Sequence, residues 1–269
     1  MTIEESGRPL FIERYEGRGV VRIILNRPER HNAFNDRLIT DLTAVLRGID
    51  GDETVRLLVL SGEGKSFCAG ADLNWMRATA DYGPEENLRD AEQLSELMRA
   101  LDKLCKPTLA LVQGPAYGGG VGLVSCCDIA IAVSTATFSL SEVRLGLVPA
   151  VISPYVIAAM GARAARRYFL TGETFSAETA LRLGLVHEVV PPEELEEAGT
   201  RVIEALLAGG PKAQQEAKDL IVQVAGETCD DRLRRRNTER IARLRASEEG
   251  KEGLDAFLQK RPPAWRSGR

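Results

Sequence analysis

At 269 residues, 44% of them hydrophobic and 28% charged, the chain has room for one large domain or a domain with an appendage, and its composition is that of an ordinary globular protein. Its formal charge of −4 argues against generic binding to nucleic acid or to a membrane surface. No apolar run approaches the roughly 20 residues that a bilayer span requires, so a membrane partner is not expected either.

The chain opens on MTIEESGRPL, with acids where a signal peptide needs a basic stretch and an apolar core, so a cytoplasmic location is expected. Val20 to Leu25 and Val55 to Leu60 are short β-branched-rich runs bounded by polar turns, which predicts buried strands. Between them Phe34, Leu38, Leu42, Val45 and Ile49 recur at three- and four-residue spacing, the pattern of an amphipathic helix. Leu88, Ala91, Leu94, Met98, Leu101 and Cys105 repeat it; Pro107 then ends that helix and opens a strand from Thr108 to Gln113. Ile129 to Val133 and Thr137 to Leu140 read as two more strands. Beyond Gly199 strand signals vanish, and helices are expected around 200–208, 211–225, 228–247 and 251–259. The architecture expected is α/β: a β/α core over residues 1–199 followed by an all-helical region over 200–269. The arginine-rich stretch Asp230 to Arg245 reads as a solvated helix face, because Asp230, Asp231 and Glu239 sit among the arginines.

Three segments carry possible chemistry. Asn26 to Phe34 is a turn leaving the first strand. Ser61 to Asn74 and Gln113 to Gly122 are glycine-rich loops, and such loops place free backbone donors at the carboxyl ends of strands, where α/β proteins bind ligands. Gly118, Gly119 and Gly120 lack a Cβ, so a ligand oxygen can approach the main chain, and a helix starting there would present unpaired N–H groups to negative charge. Glu142 lies downstream in FSLSEVRLGLVP. Taken alone it reads as a surface glutamate paired with Arg144; beside the glycine run it is a plausible proton carrier, with Val143, Leu145, Leu147 and Val148 as the apolar surroundings that would raise its pKa. The five cysteines show no metal-ligand spacing, and Cys126 and Cys127 read as buried free thiols. With only two histidines, His31 and His187, both read as structural, neither a Ser-His-Asp triad nor a metal site is expected.

LNRPERHNAF at 25–34, SGEGKSFCAGADL at 61–73, GPAYGGGVGL at 114–123 and FSLSEVRLGLVP at 138–149 together resemble the enoyl-CoA hydratase/isomerase (crotonase) superfamily, and TGETFSAETALRLGLVHEVVP at 171–191 is similar to a further family segment. The resemblance implies a spiral of ββα units with a helical tail that builds trimers or hexamers, acting on acyl-CoA thioesters with no separate cofactor. By motif position it places two amide donors for the thioester oxygen at Ala71 and Gly119 and an acid/base glutamate at Glu142. Fixed donors stabilise a developing enolate more than the ground-state carbonyl, each contributing roughly 3 kcal/mol. Coenzyme A contacts are implied along Asn32, Ala33, Ala69, Asp72, Leu73 and Asn74, mostly through main chain, with Tyr117 and Gly118 near the acyl group. Asp72 also suits a helix N-cap, and Tyr117 suits a structural role as well. Arg27, Arg30 and Lys260 are weak candidates for the phosphates.

Typical hydratases of the superfamily carry a second glutamate where this chain has Gly122. Three readings follow: hydration by Glu142 alone, Δ3,Δ2-enoyl-CoA isomerisation, for which one carboxylate suffices, or a CoA-binding protein that lost catalysis. The run from Gly118 to Val156 closely resembles bacterial methylglutaconyl-CoA hydratases of leucine breakdown and geranoyl-pathway relatives, which also lack that glutamate, so a branched or carboxylated enoyl-CoA is expected. Arg77 and Arg144 are weak candidates for its distal carboxylate.

Overall fold

The structure is a computed structural model, and it describes residues 9–15, 17–79 and 81–266. Most of the amino-terminal stretch read for a leader therefore lies outside the described residues.

A hairpin opens the fold: β1 (Leu10–Tyr15) runs antiparallel to β2 (Val20–Leu25), with Leu10 opposite Leu25. There follow α1 (Asp36–Asp50), β3 (Leu57–Gly62), α2 (Leu73–Thr79), α3 (Pro84–Asp102), β4 (Thr108–Val112), β5 (Ala116–Tyr117) and α4 (Gly119–Cys126). Next come β6 (Ile129–Val133), β7 (Thr137–Ser139), α5 (Ser153–Thr171), β8 (Phe175–Ser176), α6 (Ala177–Leu183) and β9 (Glu188–Val190). The chain ends in α7 (Leu195–Ala208), α8 (Pro211–Val224), α9 (Asp231–Ala246) and α10 (Glu248–Leu258).

Six strands form one sheet in the order β1-β2-β3-β4-β6-β9, parallel from β2 onward. The central parallel strands are largely apolar because both faces are covered, with Arg22 in β2 and Glu188 in β9 as exceptions. α7 packs on β4 and β6, and α1 packs against α3. Val59, Leu60, Leu109, Leu111, Ile131, Leu38, Leu42, Leu97 and Met98 all belong to the one core cluster. A second sheet, β5-β7-β8, stands beside it. Its parallel β5–β7 pair sets the glycine run against the segment carrying Glu142.

Several expectations need correction. The second strand begins at Leu57, not Val55, because Val55 closes a turn onto Asp52. Phe34 precedes α1, whose N-cap is Asn35, its side chain accepting from the Leu38 N–H at 2.9 Å. Cys105 lies beyond the end of α3, and Leu88 stands on its exposed side. β1, β5, β8 and β9 have no counterpart in the sequence reading. β5, β8 and β9 are two or three residues long, and β1 is exposed along all but Leu10, so none carries a strong pattern.

The last helices are tied down mainly by charge. Lys218 on α8 donates to Asp128 at 2.8 Å and Arg240 on α9 reaches Asp219 at 2.6 Å. α8 buries no residue, α9 buries Leu233 and α10 Ala256. Residue 199 lies inside α7, where a Cβ would meet Leu111 at 3.0 Å. No helix among the described residues is long and apolar enough to cross a membrane.

Candidate active site

The two glycine loops meet at the carboxyl ends of β3 and β4. Residues 69–72 run beside 31–34 as a short parallel pairing: Ala69 donates to the His31 carbonyl at 3.0 Å, Phe34 to that of Gly70 at 2.6 Å, and Asp72 to that of Phe34 at 2.9 Å. In such a bridge one residue turns both its N–H and its C=O to the neighbour. That residue is Phe34, so the N–H of its partner Ala71 faces the other way, toward the open side.

The second loop arrives through β5. Cys68 is bridged to Ala116, and the Tyr117 N–H donates to the Cys68 carbonyl at 2.9 Å. Gly118 then takes φ +48°, with its N–H donating to the Ser139 carbonyl at 2.9 Å, and α4 starts at Gly119. Val121 and Gly122 donate back to Gly118, whereas the first helical N–H, that of Gly119, has no carbonyl within its own helix. A Cβ on Gly70 would lie 3.0 Å from the Tyr117 carbonyl, so the loops touch backbone to backbone and the Ala71 and Gly119 amides lie on adjacent segments.

Glu142 enters from β7. It opens a 3-10 turn, Glu142–Leu145, that Gly146 closes at φ +73°, and its carbonyl accepts from Leu147 at 3.0 Å. Its Oε1 lies 3.1 Å from where a Cβ on Gly118 would be. Its Oε2 is buried and has no hydrogen-bond partner, and burial pushes the carboxyl above the usual carboxylate range. Buried polar atoms in folded proteins are generally bonded, so an orphaned carboxylate oxygen on a side chain that abuts the glycine run points to a ligand. The pairing with Arg144 is absent from the ion pairs among the described residues, and Arg144 lies instead against Gly172. Of the apolar neighbours expected around Glu142, Val143 is half-buried, whereas Leu147 is 57% and Val148 68% exposed and Leu145 is exposed too. The Glu142 carboxyl lies instead against Gly118.

Other residues singled out above divide by exposure. Ala71, Leu73 and Asn74 are exposed, and Ala69, Tyr117, Gly118 and Gly119 are half-buried. Asn32, Ala33 and Asp72 are buried and work behind the site. The Asn32 amide accepts from the Arg27 N–H at 2.8 Å and donates to the Glu63 and Ser66 carbonyls at 2.9 and 2.8 Å, so its side chain is a loop clamp. Asp72 accepts from the Asn74 N–H at 2.8 Å, as an N-cap does, and pairs with Arg27 at 2.8 Å. Burial alone would raise its pKa, but the Asn74 amide and the Arg27 guanidinium outweigh it and hold the carboxyl below the usual range. Arg27 is thus engaged with Asp72 and the Ala33 carbonyl rather than open to a phosphate. The Tyr117 hydroxyl bonds Thr137 at 3.0 Å, His31 bonds Ser66, and Arg77 bonds Asn74.

Gly122 lies one turn beyond Gly118 on α4 and is sealed. A Cβ there would sit 2.3 Å from Ile152 Cγ2 and 3.2 Å from Met98 Cε. A glutamate at this position therefore cannot enter without moving Ile152. The Arg27–Asp72 pair was missed in the sequence reading, although a cation and an anion on loops leaving adjacent parallel strands were visible. Among the described residues no three His, Cys, Asp or Glu side chains group as a metal site.

A family profile described as enoyl-CoA hydratase/isomerase matches residues 15–268. The crystal structure of an enoyl-CoA hydratase from Shewanella pealeana superposes with a TM-score of 0.92 at 47% identity, over 96% of each chain. Among curated proteins the chain is 39% identical over 245 residues to enoyl-CoA hydratase ACTT6 of Alternaria alternata, covering 89% of this chain and 78% of that one. It is 35% identical over 257 residues to 1,2-epoxyphenylacetyl-CoA isomerase of Escherichia coli, covering 94% and 97%.

Proposed function

The chain belongs to the enoyl-CoA hydratase/isomerase family, and from that premise we propose that it hydrates an enoyl-CoA thioester at C2=C3, or runs the reverse dehydration. The Ala71 and Gly119 amides hold the thioester oxygen, and Glu142 moves protons at the neighbouring carbons. The observation that carries this reading is the carboxyl of Glu142, whose Oε1 sits beside Gly118 while its Oε2 is buried and unpartnered. When C2 takes up or loses a proton, charge gathers on the thioester oxygen as an enolate, and amide dipoles already aimed there stabilise that state without rearranging. Burial moves the carboxyl upward, toward the proton affinity that transfer at neutral pH favours.

With Gly122 sealed by Ile152, a single carboxylate serves both proton transfers. Water binds Glu142, adds to C3 as Glu142 accepts its proton, and the same carboxyl delivers a proton to C2. The sealing equally favours a second reading, isomerisation of a 3-enoyl-CoA by Glu142 shuttling a proton from C2 to C4. Loss of the 2-enoyl absorbance on adding purified enzyme to a 2-enoyl-CoA separates them: hydration bleaches it, whereas an isomerase leaves it standing and creates it from a 3-enoyl-CoA.

Our finer reading is a branched or carboxylated substrate such as 3-methylglutaconyl-CoA, supported by the resemblance of the 118–156 stretch. A panel of enoyl-CoAs tests it; crotonyl-CoA turned over faster than every carboxylated substrate sinks it. We also propose that residues 1–199 form the catalytic unit and that 200–269 mediates assembly into trimers or hexamers. Support comes from the exposed apolar side chains of Ile221, Val222, Ile241, Leu254, Phe257 and Leu258 on α8 to α10.

A further inference from the structure

We infer that Phe34 is a positioning residue whose ring sets the separation of the two amides that hold the thioester oxygen; this rests on the reading of Ala71 and Gly119 given above. Phe34 touches both arms of the site in different ways. Its main chain clasps the first arm, with its N–H on the Gly70 carbonyl and its carbonyl on the Asp72 N–H, so residue 71 between them cannot shift without breaking one of these bonds. Its ring lies under the second arm: a Cβ on Gly119 would stand 2.6 Å from Cε2 and 3.0 Å from Cδ2. The ring is 1% exposed and belongs to the core cluster.

The residue is itself held from both sides. Asn35 caps α1 immediately after it. Before it, the Ala33 carbonyl accepts from Arg27, which also binds Asp72, and Asn32 takes φ +54° with all of its amide bonded. A rigid ring on an anchored backbone is a spacer: its thickness fixes how close α4 can come to the 70–72 strip. Gly119 complements it, since any side chain there would push against the ring. Donors must lie 2.7–3.1 Å from the oxyanion to be effective, and a misplacement of about 1 Å costs on the order of 100-fold in rate.

The test compares wild type with Phe34→Leu, Phe34→Met, Gly119→Ala and Phe34→Leu/Gly119→Ala. It measures kcat and KM on crotonyl-CoA or the best enoyl-CoA of the panel, thermal unfolding, and the carbonyl stretch of bound butyryl-CoA labelled with 13C at the thioester carbon. Butyryl-CoA is saturated and does not react. Wild type is expected to lower that stretch relative to free butyryl-CoA. Phe34→Leu should lose about 30- to 100-fold in kcat with KM changed less than about threefold, and should lose most of the carbonyl shift. Phe34→Met, closer in length, should recover part of both, and carries the test if the leucine variant fails to fold. Adding Gly119→Ala should do less harm in the Phe34→Leu background than in wild type, because the ring that the new methyl group would strike is gone. Retention of kcat and of the carbonyl shift in the folded Phe34 variants overturns the inference, as does strict multiplication of the Phe34→Leu and Gly119→Ala losses. A wild type that leaves the carbonyl stretch unmoved overturns the two-amide reading itself, a different outcome from either.

Discussion

Around the glycine run an added methyl group meets its neighbours, whereas along the last helices whole apolar side chains face solvent. A Cβ on Gly122 would stand 2.3 Å from Ile152, while Phe257 is 80% and Leu258 77% exposed. The first region gains its order within the chain, from backbone contacts that glycine permits and from core packing. The second is held by charge pairs such as Lys218–Asp128 and leaves apolar side chains exposed, which the assembly proposed above would cover. The contrast separates what chemistry needs, atoms fixed to a fraction of an ångström, from what the proposed assembly would need, area without such exactness.

The sharpest way to test the first half is Glu142→Gln, which keeps the shape and removes the proton carrier. Turnover should fall about 1,000-fold, with acyl-CoA binding retained. Stability should move the other way. Burial raises the folded pKa of Glu142, so wild type loses stability as pH rises from the ordinary carboxylate range through that raised value, and the glutamine variant does not. Urea unfolding of both proteins across acid to neutral pH reads this directly; parallel curves would show that the carboxyl is not buried in solution.

Arg27→Ala comes next. It leaves Asp72 buried beside an empty place and should cost roughly 3 kcal/mol in denaturant unfolding. The sign with pH is opposite to that of Glu142: Asp72 is held below the usual range, so its contribution is present above the unfolded-state pKa and is lost as pH falls through the folded one. The variant should therefore show a flatter acid limb.

Gly122→Ala should cost about 2 kcal/mol by overpacking, and much less in an Ile152→Ala background. Equal costs in both backgrounds would mean that Ile152 yields freely and that Gly122 is not sealed.

On the other side of the comparison, Phe257→Ser with Leu258→Ser should lower the assembly state seen by analytical ultracentrifugation, while turnover per folded chain changes little. An unchanged assembly would place the interface elsewhere. The smallest effect is expected at the helix surface. Arg235 and Glu239 sit 2.9 Å apart on α9 with both side chains exposed, and Arg235→Ala should change stability by no more than about 0.5 kcal/mol.

Patterns local in the chain were legible without coordinates. Val20 to Leu25 forms β2 as read, and Ile129 to Val133 forms β6, because a strand covered on both faces is mostly apolar, Arg22 being the one charged residue of β2. The helices read around 200–208, 211–225, 228–247 and 251–259 correspond to α7 to α10, although α7 already starts at Leu195. The motif resemblance carried the fold class, and the glycine triplet announced an N–H-rich helix start. Tertiary structure decided the rest, because the remaining facts depend on distances between segments far apart in the chain. No pattern within residues 25–34 says that the Phe34 backbone would hold residue 71 and its ring would support residue 119. Nor does FSLSEVRLGLVP reveal that the Glu142 carboxyl lies against Gly118 with a buried, unpartnered oxygen while Leu145, Leu147 and Val148 are exposed. Periodicity reports which side of an element avoids water; which element it then meets is settled only when the strands take their order in the sheet.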